Sequence, residues 1–260
     1  MLLEGRVAIV TGGGRGIGRA VALRFAAEGA AVLVSARTER EVAAVAAEVV
    51  ARGGKSVPLA ADVSAEGDCA AIVAAAEKQL GPVSVLVNNA GIYGPVKPIE
   101  EITPEEWDQV MAVNLRGAFL MTRAVLPRMY ERKSGAIVNL SSVAAKAAFS
   151  WGSPYTTAKA GLLGLTRVAA AEAGRRGVRV NAICPGPVTG TDMWKELCKA
   201  LAERRGIDPE TQQMQSLSGL LQGRGQTEEE IAAVAAFLAS DRASAITGQS
   251  VNVDGGAAFY

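Results

Sequence analysis

The 260-residue sequence predicts a single α/β domain in which helices cover both faces of a parallel sheet. Short apolar segments alternate with longer, Ala-rich amphipathic segments, and this alternation requires crossover connections between parallel strands. The apolar segments show little polar alternation, as expected for strands that are buried on both faces. No repeat, low-complexity tract or linker-like segment interrupts the pattern, so we expect one domain over residues 1–260.

Seven segments have the composition of buried strands, and six segments between them have that of helices. The predicted strands are Val7–Val10, Ala31–Val34, Ser56–Ala60, Val83–Val87, Ala136–Leu140, Arg179–Ile183 and Ser250–Val253. The predicted helices are Gly16–Glu28, Glu39–Arg52, Glu66–Gln79, Pro104–Arg132, Pro154–Arg175 and Glu228–Ala239. The long segment 189–224 falls outside this alternation. Long insertions often act as lids or binding loops, and we predict a substrate-binding lid there.

Composition narrows the function classes. The chain is 49% hydrophobic and 20% charged with a net charge of +1, which is typical of a soluble globular protein and gives no basis for nucleic-acid or membrane binding. No run approaches the roughly 18 apolar residues of a membrane span. The chain has no histidine, and its cysteines, Cys69, Cys184 and Cys198, show no CxxC spacing. We therefore expect no metal site, reduced thiols and a cytoplasmic location.

A glycine-rich loop, Thr11–Gly18, follows the first predicted strand and opens the first predicted helix. Glycine lets the backbone turn sharply at Gly12, approach a diphosphate at Gly16 and pack helix against strand at Gly18. The helix N-terminus adds unpaired N–H groups and the positive end of a dipole. The loop predicts a dinucleotide site; a glycine-rich turn without a ligand is the alternative.

The end of the second predicted strand indicates which dinucleotide binds. NAD sites usually place an acidic residue there for the ribose hydroxyls, but here Ala36 is followed by Arg37, and Arg15 lies in the glycine loop. Two guanidinium groups suit the 2′-phosphate of NADP. We therefore predict NADP(H) in preference to NAD(H), with two solvated surface charges as the alternative.

Polar residues also follow the third and fourth predicted strands. Asp62, before Val63, can accept a hydrogen bond from the adenine amino group, and the segment Asn88–Gly91 can line the cofactor and tie neighbouring strands together. Ordinary turn chemistry at strand ends explains these residues equally well.

Tyr155 and Lys159 are four residues apart on a predicted helix, so their side chains share one face. A phenol with a pKa of about 10 is a poor base at neutral pH, but a nearby ammonium lowers that pKa. Ser142, at the end of a predicted strand, can hold a substrate oxygen beside the phenol. Together these residues predict a proton-transfer site.

With the glycine loop upstream, the whole chain resembles the short-chain dehydrogenase/reductase family in its classical subtype. The matching pieces are Thr11–Gly18, Asp62, Val63, Asn88–Gly91, Asn114, Ser142, Tyr155, Lys159, Pro185 and Gly186. The resemblance implies a Rossmann-type, doubly wound sheet of seven parallel strands and a catalytic tetrad of Asn114, Ser142, Tyr155 and Lys159. In the family the tyrosine transfers the proton, the serine steadies the substrate oxygen, the lysine binds the nicotinamide ribose and the asparagine holds a relay water.

The motifs and the resemblance together give the expected cofactor contacts. The cofactor-binding residues are predicted to be Gly12, Gly14, Arg15, Gly16, Ile17, Gly18, Arg37, Asp62, Val63, Asn89, Ala90, Gly91, Tyr155, Lys159, Pro185, Gly186 and Val188. The segment after Pro185 carries one residue more than usual before the family's threonine, which leaves Thr189 and Thr191 as alternatives for that position.

The predicted lid resembles those of diol, polyol and acetoin-type enzymes and is longer than that of the acyl-carrier-protein reductases. We expect Trp151, Met193 and Trp194 to form the substrate pocket. The sequence thus predicts an NADP(H)-dependent oxidoreductase that interconverts a small-molecule ketone and a secondary alcohol, a carbonyl reductase or alcohol dehydrogenase acting on CH–OH donors.

Two other functions stay open. A 3-oxoacyl-acyl-carrier-protein reductase would use basic residues such as Lys133 and Arg176 to bind the acidic carrier protein, although basic residues at helix ends also simply complement the helix dipole. A non-catalytic dinucleotide-binding protein is the more remote alternative, because the chain keeps all four tetrad residues. The resemblance also implies a homotetramer or homodimer.

Overall fold

The computed structural model describes residues 1–259, and its sheet confirms the predicted fold class. Seven parallel strands form one sheet in the order β3-β2-β1-β4-β5-β6-β7. The strands are β1 (Val7–Thr11), β2 (Ala31–Ala36), β3 (Lys55–Ala60), β4 (Val85–Asn88), β5 (Gly135–Leu140), β6 (Val178–Pro185) and β7 (Ser250–Val253).

Nine α-helices within residues 1–259 complete the fold. They are α1 (Gly16–Ala27), α2 (Glu39–Ala51), α3 (Glu66–Gln79), α4 (Pro104–Met111), α5 (Gly117–Arg132), α6 (Ser153–Ala173), α7 (Asp192–Arg205), α8 (Pro209–Ser218) and α9 (Glu228–Ala239). The predicted lid segment contains α7 and α8, which the sequence pattern does not predict. None of the described helices combines the length and apolar character needed to span a bilayer.

The predicted helix Pro104–Arg132 is wrong in one respect, because a π-helical turn at Ala112–Arg116 separates α4 from α5. Single π turns within helices are often found at functional sites. Here the turn carries Asn114, whose buried side chain bonds to the backbone of a neighbouring loop.

Side chains of β1 alternate between two buried cores. Ala8 and Val10 join the core formed with α1, α2 and α9, whereas Val7 and Ile9 join the core formed with α3, α5 and α6. Because both faces of the central strands are apolar, the strands show no polar alternation in the sequence.

The chain reverses its direction across the sheet at β1. Strands β2 and β3 lie on one side of β1, and β4 to β7 lie on the other. In open α/β sheets, the crevice beyond the carboxyl ends of the strands at such a switch point is the usual ligand site. The glycine loop after β1 and the Asn88–Gly91 segment after β4 meet there.

Candidate active site

A cavity of about 1220 Å³ lies at the carboxyl edge of the sheet. Its walls come from the glycine loop, the turns after β2 to β6, the N-terminal part of α6, and α7 and α8. Every residue predicted to bind the cofactor lines this cavity.

The glycine loop packs so closely that at two positions, Gly12 and Gly18, a Cβ would lie within 3 Å of neighbouring backbone atoms. Gly12 has φ +62°, and a Cβ there would lie 2.8 Å from the Cα of Ala90. A Cβ on Gly18 would overlap the carbonyl oxygen of Gly12. By contrast, only Thr191 lies within 4 Å of a Cβ built on Gly16, so this part of the loop faces open space. The N-terminus of α1 has no side-chain cap, which fits the binding of a diphosphate.

Side-chain amides fix the two loops to each other, as the sequence suggests. Asn89 Nδ2 donates to the carbonyl oxygens of Thr11 (2.9 Å) and Gly12 (3.0 Å). The Thr11 hydroxyl oxygen accepts hydrogen bonds from the N–H groups of Asn89 and Ala90. One residue earlier, Asn88 Nδ2 donates to Asn139 Oδ1 (2.8 Å) and ties β4 to β5. These bonds hold the phosphate end of the cavity in one shape.

Two arginines and three carboxylates lie around the predicted adenosine end. Arg37 is exposed and has no ion pair within residues 1–259, whereas Arg15 pairs with Asp192 at 3.0 Å. Hydrogen bonds from Ser64, together with the nearby charge of Arg37, hold the pKa of Asp62 below its usual value against a raising effect of burial. Glu41, which the sequence reasoning missed, also lines the cavity and would crowd a Cβ on Gly14.

Tyr155 and Lys159 lie together on the cavity-facing side of α6. Lys159 Nζ is 5.6 Å from the centre of the Tyr155 ring and donates to the carbonyl oxygen of Leu140 at 2.7 Å. Burial lowers the pKa of Lys159 to about 8. Burial also raises the pKa of Tyr155, and the interaction of its hydroxyl with Ser142 opposes this rise without cancelling it.

Asn114 lies behind this wall and does not line the cavity. Its Oδ1 accepts from the N–H of Ile92 and its Nδ2 donates to the carbonyl of Ile92, both at 2.8 Å. A Cβ on Gly91 would lie 3.3 Å from Asn114 Oδ1 and 3.5 Å from Lys159 Nζ. The structure therefore brings all four predicted tetrad residues together, with Gly91 between Asn114 and Lys159.

Tyr93 is a neighbour of the tetrad that the sequence does not reveal. Its ring stacks on Tyr155 with centroids 4.7 Å apart and an interplanar angle of 27°. Burial and the nearby Tyr155 raise the pKa of Tyr93 to about 12, so its hydroxyl stays protonated near neutral pH. It belongs to no motif, and only the fold places it beside the catalytic candidates.

Trp151, predicted to form a pocket wall, is not among the residues that line the cavity. Helix α6 begins at Ser153, so Trp151 lies in the preceding turn with φ +68° and is not on the helical face that carries Tyr155. Tyr93, Phe149 and Ser150 line the cavity near this point, whereas Trp151 does not.

The two predicted lid residues, Met193 and Trp194, both line the cavity. Helix α7, which carries them, is capped by Thr191, whose hydroxyl oxygen accepts from the N–H of Trp194 (3.3 Å). Of the two alternatives for the family's threonine, Thr191 lines the cavity and Thr189 does not. The indole Nε1 of Trp194 is buried and has no hydrogen-bond partner among the described residues.

A family model described as short chain dehydrogenase matches residues 6–202. The chain belongs to the short-chain dehydrogenase/reductase family. Its relatives include the short-chain reductase protein NovJ of Streptomyces niveus, which is 42% identical over 96% of this chain and 93% of the relative. Another is 2-(S)-hydroxypropyl-CoM dehydrogenase 3 of Xanthobacter autotrophicus, which is 39% identical over 98% of this chain and 97% of the relative. A 3-oxoacyl-acyl-carrier-protein reductase of Thermotoga maritima is 36% identical over 98% of this chain and 99% of the relative.

Solved structures of family members have the same fold. An actinorhodin polyketide ketoreductase with NADPH superposes with a TM-score of 0.94 at 35% identity, with 98% of each chain covered. NAD⁺-bound xylitol dehydrogenase superposes with a TM-score of 0.95 at 30% identity, covering 98% of this chain and all of the other. This protein is therefore an oxidoreductase acting on CH–OH groups or carbonyls, with a nicotinamide dinucleotide as cofactor.

Proposed function

We propose that the protein interconverts a ketone and a secondary alcohol with NADP(H), using Tyr155 as the general acid and base. The observation that carries the proposal is the shared cavity: Ser142, Tyr155 and Lys159 line the same space as the glycine loop. The residues present fit a dinucleotide, since Gly12 and Gly18 leave no room for side chains and the α1 N-terminus is uncapped.

The roles of the side chains follow from their chemistry. When bound, the nicotinamide supplies or accepts the hydride. In reduction the Tyr155 hydroxyl donates its proton to the substrate oxygen, which Ser142 orients; in oxidation Tyr155 takes the proton back. Because burial raises the pKa of Tyr155, the positive charge of Lys159 is needed to stabilise the phenolate. Asn114 positions the Ile92 backbone beside the Tyr155 and Lys159 side chains through two hydrogen bonds.

The preference for NADP(H) rests on Arg37, with Arg15 in support. Arg37 is exposed, has no ion pair within the described chain, and lines the adenosine end of the cavity. Glu41 lies in the same region and would repel a 2′-phosphate, so the preference depends on Arg37 outweighing it. In Arg37→Gln, the ratio of kcat/KM for NADPH to that for NADH should fall about tenfold. An unchanged ratio would contradict the assignment.

The test of the reaction is the initial rate of NADPH consumption with small diketones, cyclic ketones and an acetoacetyl thioester, with Tyr155→Phe as the blank. We expect the highest kcat/KM on a small ketone and no measurable rate in the blank. If Tyr155→Phe were as active as the parent, or if the parent reduced none of the carbonyls, a non-catalytic dinucleotide-binding protein would be the favoured hypothesis.

Reduction of acyl-carrier-protein thioesters is the second candidate, favoured by the Thermotoga maritima relative named above. The guanidinium of Arg176 stacks on the Tyr130 ring at 4.5 Å, so a fixed cation is presented at the surface near Lys133. A dominant rate on the thioester, lowered in Arg176→Gln, would favour this candidate over small ketones.

The proposal includes a homotetramer or homodimer formed through the helices around Asn114 and Tyr155. Phe119 on α5 is 46% exposed and Val168 on α6 is 56% exposed, and burial of such side chains between copies is favourable. All three cysteines are free and buried, which supports our proposal of a reducing compartment such as the cytoplasm.

A further inference from the structure

Helix α7 extends along the cavity from the cofactor end to the substrate end. It begins at Asp192, which pairs with Arg15 of the glycine loop at 3.0 Å. It ends at Arg205, about 20 Å further along the helix axis. Both Asp192 and Arg205 line the cavity, so Arg205 lies at the end of this helix that is remote from the phosphate loop.

A chain of contacts connects Arg205 with the catalytic tyrosine. The Arg205 guanidinium lies 5.8 Å from the centre of the Trp151 ring. Next to Trp151 in the sequence is Gly152, whose Cβ position is 2.5 Å from the Tyr93 hydroxyl, and Tyr93 stacks on Tyr155. Arg205 and Tyr155 therefore line one cavity, and they are connected through Trp151, Gly152 and Tyr93.

The guanidinium is held in place without being neutralised. Arg205 Nη1 donates to Gln212 Oε1 at 3.1 Å, and Gln212 is only 1% exposed and itself donates to Ser216 Oγ at 2.8 Å. No carboxylate lies within 4 Å of Arg205 among residues 1–259. A guanidinium has five N–H donors, and Gln212 uses one of them.

Arg205 is exposed, as is its neighbour Arg204, which has different partners. Arg204 pairs with Glu101 at 2.8 Å and donates to the carbonyl oxygen of Val96, and it does not line the cavity. Glu196 is the other charged residue of α7 in the cavity wall between Asp192 and Arg205, about 13 Å before Arg205 along the axis. The charge of α7 at the remote end is therefore positive.

We propose that Arg205 binds an oxyanion on the part of the carbonyl substrate that is remote from the reacting carbon. The substrate class is then a ketone that carries a carboxylate, a sulfonate or a phosphate, matched by the fork of the guanidinium. This inference rests on the proposed function, because it places the ketone at Tyr155. The Trp151 ring, 5.8 Å from the guanidinium, helps to hold it in place.

The experiment compares matched substrates in the parent enzyme and in Arg205→Gln. Each pair contains an (ω−1)-oxo acid, which is a methyl ketone with a terminal carboxylate, and the uncharged methyl ketone of equal chain length, in a series of increasing length. Acetoacetyl-coenzyme A and acetoacetyl-N-acetylcysteamine form a further pair. The readout is the ratio of kcat/KM for the anionic member to that for the neutral one. Lys199→Gln removes the same charge from an exposed α7 residue outside the cavity and is the matched control.

We expect the ratio to exceed one for at least one pair in the parent, and to fall about tenfold or more in Arg205→Gln, mainly through KM. Arg205→Lys should retain part of the preference, and Lys199→Gln should keep the parent ratio. If the oxo acids are preferred over the neutral ketones, the group that Arg205 binds is of the carboxylate type. If only the coenzyme A thioester is preferred over its neutral partner, that group is a phosphate. A preference for neutral ketones, or a ratio that Arg205→Gln leaves unchanged, would overturn the inference.

Calorimetric binding of the oxo acid in the presence of NADP⁺ separates this inference from the proposed function. If the parent turns over no ketone but binds the oxo acid more tightly than Arg205→Gln does, the reaction assignment fails and the oxyanion site stands. If ketones are reduced and the oxo acid binds both proteins equally, the reaction assignment stands and the oxyanion site fails. A thermal midpoint for each variant identifies a loss caused by unfolding.

Discussion

At the cofactor end of the cavity the walls are mainly backbone, whereas at the lid they are mainly side chains. Gly12 and Gly18 allow chain segments to touch directly, and the Asn89 amide fixes the loop to β4. The lid instead presents Met193, Trp194 and Arg205 from helices that touch the sheet little. Backbone geometry needs glycine at fixed spacings, so it leaves a motif in the sequence; a wall of side chains can be built from many residue types and leaves none.

The largest expected effect is loss of the proton donor. Tyr155→Phe should lower kcat about a thousandfold while leaving the Kd for NADPH nearly unchanged, because only the transferable proton is removed. Stopped-flow NADPH oxidation and fluorescence titration measure the two quantities. Tyr93→Phe is the matched control, since it removes a hydroxyl from the ring stacked on Tyr155, and it should lose less than about tenfold. Equal losses in both variants would contradict the role of Tyr155.

Breaking the backbone wall should have the next largest effect. In Gly18→Ala the new Cβ overlaps the Gly12 carbonyl oxygen, so the loop must shift, and the Kd for NADPH should rise about a hundredfold. Gly164→Ala in α6 is the control because no atom lies within 4 Å of its Cβ position, and it should raise stability by up to about 1 kcal/mol. Wild-type cofactor affinity in Gly18→Ala would contradict the close packing.

The pH dependence should report the coupling between Lys159 and Tyr155. Burial lowers the pKa of Lys159 to about 8 and raises that of Tyr155, so below pH 8 a protonated lysine lies beside a protonated phenol. Alcohol oxidation needs the phenolate, so its rate should increase with pH. Lys159→Met removes the charge that stabilises the phenolate and should move the midpoint to higher pH, with a loss of about tenfold at pH 7. An unchanged pH midpoint in Lys159→Met would contradict the role of Lys159 in stabilising the phenolate.

The smallest effect is expected at the lid. Trp194→Phe keeps an aromatic ring and removes a buried N–H that has no partner within the described structure, so stability should stay within about 1 kcal/mol of the parent. The KM for ketones should change less than about threefold. A tenfold fall in kcat would show that the indole N–H contacts the reacting group, and the lid would then be part of the chemistry.

Most of the fold was predictable because the short apolar runs of the strands and the amphipathic segments of the helices are both visible in the sequence. The seven strands lie within two residues of their predicted ends, since each is an apolar run between polar turns. The interruption at Ala112–Arg116 was not predicted; the turn carries Asn114, whose side chain bonds to Ile92. Local propensity cannot register a bond between residues 22 positions apart.

The sequence by itself determined the fold class, the glycine loop and the candidate proton-transfer residues, because these depend on local spacing along one strand or helix. Only the tertiary structure decided that Tyr93 stacks on Tyr155, that Trp151 packs near Arg205, and that Arg205 lines the cavity without a carboxylate partner among the described residues. Each of these depends on where segments far apart in the chain pack against one another. A side chain's neighbours across the fold, and with them the charge it presents to a substrate, are set by that packing.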